Sequence, residues 1–443
     1  MLTDIFTEGF KVGIFGCGVS GKAVRKWCVR HGVDHSIFDE NGGEIFSNSI
    51  AGYFDLIVRS PSFLDDHPWV IMAFKNGVPC IGELDLAANF WKGRIIAVTG
   101  TDGKTTTVEF LKHSLCNIGH QAVAVGNIGL PFVSVIDDAI NVPNSWAVVE
   151  VSSFQAQLLQ IMHPDYVLWT NFAPDHVDNH HSLHSYFKSK NKLVEMAKFC
   201  DARHVFIGVS VRNYAKNYPE FSQLSNASVC WKYCDIPRDS CLNIPVQWEN
   251  FALVEKFWQT CNLGLDKLRA SAETFRLPKH RLQKICSVEK TDSSSGKFNV
   301  EFWNDSKATN FHSFKAAMDS FDRKLILIAG GKSKGEEIGQ YIEVFLEKIK
   351  TLLLIGETGR TIFDALNGNN FIKMFEYCKF FGDNRSDSLT IMRNAVKFSF
   401  SVADAEDVVL LCPGFSSLDM FSGYDQRGCL YEECVEGLKE MNF

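Results

Sequence analysis

A chain of 443 residues is longer than one ordinary hydrophobic core supports and suits about three domains. With 46% hydrophobic and 22% charged residues it has the composition of a water-soluble globular protein, and its net charge of −7 argues against nucleic acid or an anionic membrane as a main partner. The N-terminus MLTDIFTEGFK is acidic where a secretion signal is basic, and no apolar run reaches the roughly 18 residues that span a bilayer, so a cytoplasmic protein is expected. Fourteen cysteines are scattered without a C-x-x-C pair and read as reduced thiols. Cys230, Cys234 and Cys241 have no histidine at zinc-site spacing and are not read as a metal cluster.

Taken in order, residues 11–40 predict a strand (KVGIF), a glycine loop Gly16-Cys17-Gly18-Val19-Ser20-Gly21, a helix, and a second strand ending at Asp39. This is a dinucleotide-binding fingerprint with its acidic residue about 20 positions on, and alone it suggests a dehydrogenase. The same loop holds any pyrophosphate on a helix N-terminus, so a UDP-sugar serves as well as NAD. YFDLIVRSPSF adds a strand, and GVPCIGELDLAANF completes a Rossmann-like domain over residues 1–93.

From Gly93 the sequence GRIIAVTGTDGKTTTVEFL predicts a buried strand, a phosphate loop and a helix. Gly100 and Gly103 let backbone N–H groups converge on phosphate oxygens, Lys104 adds a cation, and the hydroxyl of Thr105 or Thr106 is placed for Mg²⁺. Val98 stands where the standard G-x-x-x-x-G-K-[ST] loop has its first glycine, so the loop is a variant. A nucleoside triphosphate is expected here, which leaves a dehydrogenase reading without a use for this loop. Further along, GNIGLPF carries an amide at Asn127, WAVVEVSSFQ ends a buried strand on Glu150, and YVLWTNFAPDHVDNHH places His176 after another strand. A buried Glu150 needs a metal or cation partner. Histidines 176, 180, 181 and 184 raise a zinc reading, countered by Pro174 and Asn179, which predict a loop. Residues 201–245 carry no legible motif. The central ATPase-like domain is drawn over residues 94–277.

The third domain is drawn over residues 278–443. KHRLQKICSVEK and KFNVEFWNDSK predict a hairpin around TDSSSG, and LILIAGGKSKG, TLLLIG and DVVLLCPGFSSLD predict strand–loop units of a second doubly wound α/β sheet with polar loops at its strand ends.

The motifs TGTDGKTT, GNIGLP, EVSSFQ, DHVD, KHR, NDSKATN, AGGKSKG and PGFSSLD occur in the order and approximate spacing found in the Mur ligases, and the chain resembles that family over nearly its whole length. NDSKATN with SSLD is most similar to its D-glutamate-adding members. The resemblance implies three domains and an acyl-phosphate mechanism: ATP phosphorylates the L-alanyl carboxylate of UDP-N-acetylmuramoyl-L-alanine, and the amine of D-glutamate displaces phosphate, in cytoplasmic peptidoglycan precursor synthesis. It implies that Gly100, Thr101, Asp102, Gly103, Lys104, Thr105 and Thr106 hold ATP, with Asn250, His280, Arg281 and Asp305 contributing. It implies two Mg²⁺ sites, Thr105 and Glu150 at one and His176 with Lys190 at the other, Lys190 being carbamylated. Val19, Ser20, Gly21 and Asn127 are implied to contact the UDP-sugar, and Lys307, Thr309, Lys334, Ser417, Leu418 and Tyr424 to line the D-glutamate pocket. A monomer is expected.

Two departures stand out. Gln247 replaces the first asparagine of the family's HNxxN near adenine, and Ser62 stands where a glycine is usual after Ser60-Pro61. Two rival readings are a polyglutamylase of the same superfamily, disfavoured by the GCGVSG domain, and a nucleotide-sensing regulator, disfavoured because Lys104, Glu150, His176 and Lys190 are all in place.

Overall fold

The computed structural model describes residues 9–230, 235–292, 296–382 and 387–439. Cys234 and the centre of the TDSSSG turn, residues 293–295, lie outside them. The described residues form three sheets. The first holds β1 (Lys11–Phe15), β2 (Asp34–Phe38), β3 (Leu56–Arg59) and β4 (Cys80–Gly82), all parallel in the order β2-β1-β3-β4. The helix Val19–His31 follows β1 and stops at Gly32, whose left-handed backbone (φ 64°) returns its N–H to the carbonyls of Cys28 and Val29. Gly21 in its first turn lies against the Gly16 carbonyl so closely that a Cβ would collide with it, so the glycine spacing sets how near the helix comes to the strand. One face of the sheet is an aromatic cluster of Phe15, Phe38, Phe46, Phe63 and Trp69.

The second sheet holds β5 (Arg94–Thr99), β6 (Ala122–Gly126), β7 (Trp146–Glu150), β8 (Tyr166–Trp169), β9 (Val205–Gly208) and β10 (Ser228–Cys230), parallel in the order β10-β9-β8-β5-β7-β6. Being covered on both faces, β5 and β7 read as continuous apolar runs. Chain direction across the sheet reverses at β5, whose C-terminal end is thus flanked by the ends of β7 and β8. The motif-free residues 201–245 supply the two outermost strands on one side.

One helix ties the first two sheets together. In the first turn of Glu83–Phe90, Glu83 Oε1 accepts the Val133 N–H at 2.6 Å, while Asp85 accepts the N–H groups of Gln160, Ile161 and Met162 at 2.8–2.9 Å. Burial pushes the Glu83 carboxyl up to about 7 despite these amides.

The loop expected around Pro174 and Asn179 is corrected in part: Val177–His180 is a single helical turn containing Asn179. It is bounded by His176 and His181 in the left-handed region (φ 52° and 63°), so the four histidines do not share a helical face. His180 is instead buried, its Nε2 2.9 Å from Ser153 Oγ and its ring stacked on Phe154, and His184 pairs with Glu220 at 3.2 Å.

The third sheet holds β11 (Gln283–Asp292), β12 (Gly296–Asn304), β13 (Leu325–Ala329), β14 (Ile349–Ile355), β15 (Tyr377–Phe381) and β16 (Val408–Leu411) in the order β11-β12-β16-β13-β14-β15. Only the β11–β12 hairpin is antiparallel. Alternation splits its apolar residues between two cores: Leu325, Leu327 and Ala329 enter one, Ile326 and Ile328 the other. Two compact units result, residues 1–243 with 247–275, and 244–246 with 276–443, so the expected boundary at residue 93 falls inside the first unit. Among the described residues no helix is long and apolar enough to cross a membrane.

Candidate active site

The phosphate-type loop leaves β5 at Thr99 and enters the helix Lys104–Asn117 through Gly103, whose left-handed backbone (φ 78°) starts the helix without a side-chain cap. A Cβ at Gly103 would collide with Asn250 Oδ1, so the asparagine of the helix Pro245–Thr260 lies directly on the loop. Gln247, the residue that departs from the family pattern, accepts from Asn250 Nδ2 at 2.8 Å and fixes that amide. On its other side the loop is fastened to the end of β8: Thr101 N–H reaches Asn171 O (3.2 Å), Asp102 N–H reaches Asn171 Oδ1 (2.9 Å), and Thr170 Oγ1 donates to Asp102 O (2.6 Å). Sequence reading missed Thr170 and Asn171. Both sit in the quoted TNFAPDH segment, but nothing in their spacing marks them as partners of a loop 70 positions away.

Lys104 Nζ donates to Gly100 O (2.9 Å) and Thr101 O (2.7 Å), and Lys190 Nζ also donates to Gly100 O (2.8 Å), so two lysines meet at one loop carbonyl. Lys190 is 1% exposed, and burial, with Lys104 nearby, holds its ammonium well below the usual lysine range. Its Nζ lies 4.7 Å from the centre of the Tyr186 ring. Across the loop, Glu150 at the end of β7 is also 1% exposed and accepts from Thr105 Oγ1 (2.7 Å) and Asn127 Nδ2 (3.0 Å). Thr105, not Thr106, is therefore the threonine facing the carboxylate. This hydroxyl and buried carboxylate form an oxygen donor set of the kind that hard cations take. Asn127 is part of this network. His176 stands at the start of the helical turn described above, 3.7 Å from Asp175 Oδ2 and about a third exposed.

At the glycine loop of the first sheet, Val19 is exposed and Ser20 lines a pocket with Arg59, Glu83 and Gln155. A second cavity of about 210 Å³ is bounded by Gly16, Gly18, Asp39, Ser60, Ser62 and His67, among others. Asp39 Oδ2 accepts the Cys17 N–H at 2.7 Å and the Cys17 thiol at 3.0 Å, and these bonds hold its carboxyl below the ordinary range.

In the second unit, three motif loops meet at the ends of β12, β13 and β16. Arg427, fully buried, donates to Ser306 Oγ and O (3.0 and 2.9 Å) and to Phe415 O (3.1 and 3.2 Å), joining the NDSKATN and PGFSSLD loops. A reciprocal bridge, Lys332 N–H to Ser416 O (2.8 Å) and Ser416 N–H to Lys332 O (3.1 Å), adds the AGGKSKG loop. Lys307 Nζ stands 3.8 Å from the centre of the Tyr424 ring, Ser417 is buried, Leu418 is 64% exposed, and Thr309 and Lys334 are half-buried on these loops. Asp305 Oδ1 accepts the Leu282 N–H at 3.1 Å. Arg281 is half-buried, but the His280 ring is turned inward and 2% exposed, between Asn304, Gly428 and Glu432. The hydrogen bonds of that ring lie inside the unit. Arg427 escaped sequence reading because a single arginine in an amphipathic helix reads as a solvated charge.

Three α/β sheets with functional loops at strand ends and a variant phosphate loop on the middle one define the Mur ligase type of architecture. Residues 98–233 match the Mur ligase middle domain, and residues 290–415 the Mur ligase glutamate ligase domain. The chain is 31% identical over 432 residues to the UDP-N-acetylmuramoylalanine–D-glutamate ligase of Aquifex aeolicus, covering 96% of this chain and 98% of that one. Among solved structures, a pseudomurein peptide ligase type C from Methanothermus fervidus superposes with a TM-score of 0.57 at 17% identity over 97% of this chain and 100% of its own. A MurF ligase from Thermotoga maritima in complex with ADP gives 0.54 at 15% identity over 87% and 95%. The protein belongs to the Mur ligase family.

Proposed function

We infer that the protein joins D-glutamate to UDP-N-acetylmuramoyl-L-alanine in the assembly of a peptidoglycan precursor, with ATP converted to ADP and phosphate. The observation that carries this reading is the 31% identity to a D-glutamate ligase over nearly the whole of both chains. The γ-phosphoryl group passes to the L-alanyl carboxylate; the amine of D-glutamate then attacks the carbonyl carbon, the C–O bond to phosphate breaks, and the amine gives up a proton. Lys104, now held by two loop carbonyls, turns its ammonium to the transferring phosphoryl group. Asn250, His280, Arg281 and Asp305 are the further residues assigned to ATP. Thr105 with Glu150, and His176 with Lys190, would hold Mg²⁺, which would neutralise phosphate charge.

An unmodified ammonium at Lys190 would repel that ion. Its burial favours the neutral amine, whose nitrogen adds to carbon dioxide with loss of a proton to give an anionic carbamate. Val19, Ser20, Gly21 and Asn127 contact the UDP-sugar. Lys307, Thr309, Lys334, Ser417, Leu418 and Tyr424 take D-glutamate, two lysines matching two carboxylates. The enzyme works as a cytoplasmic monomer. The test is phosphate release from ATP with each substrate omitted in turn: steady turnover should need both UDP-N-acetylmuramoyl-L-alanine and D-glutamate. Release indifferent to the nucleotide substrate would overturn the reading.

A further inference from the structure

The second unit contains an exposed thiol that the ligase reading leaves unused. Cys429 is exposed on the helix Tyr424–Lys439, and its Sγ lies 3.7 Å from Nε2 of the buried His280. Behind the ring, His280 Nδ1 is 2.9 Å from Asn304 Nδ2 and 3.2 Å from Glu432 Oε1. The Asn304 amide is oriented by the Ser306 N–H on its Oδ1 (3.0 Å), so its NH₂ faces Nδ1. The Asn304 NH₂ also donates to Gly428 O (3.1 Å) and Glu432 Oε1 (2.8 Å), so Nδ1 can carry the ring proton toward Glu432. Nε2 of that neutral ring accepts from the Cys429 thiol, and on taking the proton the cationic ring presents Nε2–H to the thiolate. A thiol backed by an imidazole that a carboxylate and an amide hold in place is the arrangement that activates sulfur nucleophiles.

We propose that Cys429 is a modification site, the thiol of this protein that reacts preferentially with electrophiles and hydroperoxides, and that its modification loosens the NDSKATN loop. With a hydroperoxide, Sγ attacks the outer oxygen, the S–O bond forms as the O–O bond breaks, and the thiol proton ends on the departing alkoxide: Cys–SH and ROOH give Cys–SOH and ROH. The added oxygen takes the place of the Sγ–Nε2 contact, and a ring released from it bears on the loop through two links, His280 O accepting the Lys307 N–H (3.1 Å) and Asn304 holding Ser306.

The first arm of the test needs no ligase activity. Native full-length protein is treated with limiting iodoacetamide, and alkylation is followed site by site by mass spectrometry. Cys429 should react at least about tenfold faster than the exposed Cys17, Cys116 and Cys200, and His280→Gln should remove the excess while leaving the other three rates unchanged. Should His280→Gln fail to fold, Glu432→Gln, at a position 30% exposed, replaces it and should lower the rate at Cys429. A Cys429 rate equal to the other three, or unchanged in the folded variant, overturns the proposal. The second arm rests on the ligase reading. Hydroperoxide treatment should cut the ligation rate at least fivefold in the natural protein and not in Cys429→Ser, with the sulfenic acid trapped by dimedone at Cys429. A fast thiol whose oxidation leaves ligation unchanged overturns the coupling to the loop, whereas an untreated protein without ligase activity overturns the function reading alone.

Discussion

Lys104 and Lys190 both donate to one carbonyl, that of Gly100, so two residues with different proposed roles stand side by side. Lys104→Ala should lower kcat at least a hundredfold with little change in fold, because a cation aimed at a transferring phosphoryl group is worth about 3 kcal/mol or more in the transition state. A loss below tenfold in steady-state phosphate release would move the chemistry elsewhere. Lys190→Ala should lose most activity and recover part of it with formate or acetate, which return the oxygens a carbamate supplies. Full activity without rescue would exclude the ligand role. On the D-glutamate side, Lys334→Ala and Ser417→Ala should raise KM for D-glutamate far more than for ATP, since losing one partner of a desolvated charged pair costs about 2–5 kcal/mol. Equal effects on both substrates would indicate a structural role.

At the scale of elements, the first turn of the helix Glu83–Phe90 is built from carboxylates that would ordinarily avoid burial. The ordinary value for Glu83 is 4.5 and burial raises it to about 7 in the folded protein, so folding favours the protonated form. The contribution to stability is complete below the unfolded value, falls as pH rises between the two, and is lost above about 7. Glu83→Gln keeps the shape without the charge. It should flatten that part of the stability–pH curve and at pH 8 exceed the natural protein by up to about 3 kcal/mol, measured by denaturant titration across pH. A variant less stable at pH 8 than at pH 5 relative to the natural protein would contradict this. The strands and loops were legible in the sequence because apolar runs and glycine–lysine motifs are local signals: KVGIF, RIIAV and LILIA each became a strand, and TGTDGK a strand-to-helix loop. Partners far apart in the chain were not. No local signal tells that Thr105 rather than Thr106 faces Glu150, that Arg427 holds two loops together, or that the His280 ring turns inward, since each depends on which residues the sheet order brings side by side.

For the whole molecule, separate cores in the two units imply separate responses to ligands. The residues assigned to D-glutamate all lie in the second unit. In calorimetry D-glutamate at a hundred times its Kd should stabilise that unit by about 2.7 kcal/mol while the transition of the first stays in place. A shift confined to the first unit would place the amino-acid site there. The order of strands in the third sheet also bears on how the protein is made. β16 (Val408–Leu411) pairs with β12 on one side and β13 on the other, so the strand in the middle of the sheet is the last to be synthesised. Until the ribosome has passed residue 411, the nascent chain holds a hairpin and a three-stranded fragment, each with an open hydrogen-bonding edge and an uncovered apolar face. The loops around Arg427 cannot be joined before that moment, so a chain stalled before residue 408 is an aggregation hazard rather than a slightly shortened enzyme.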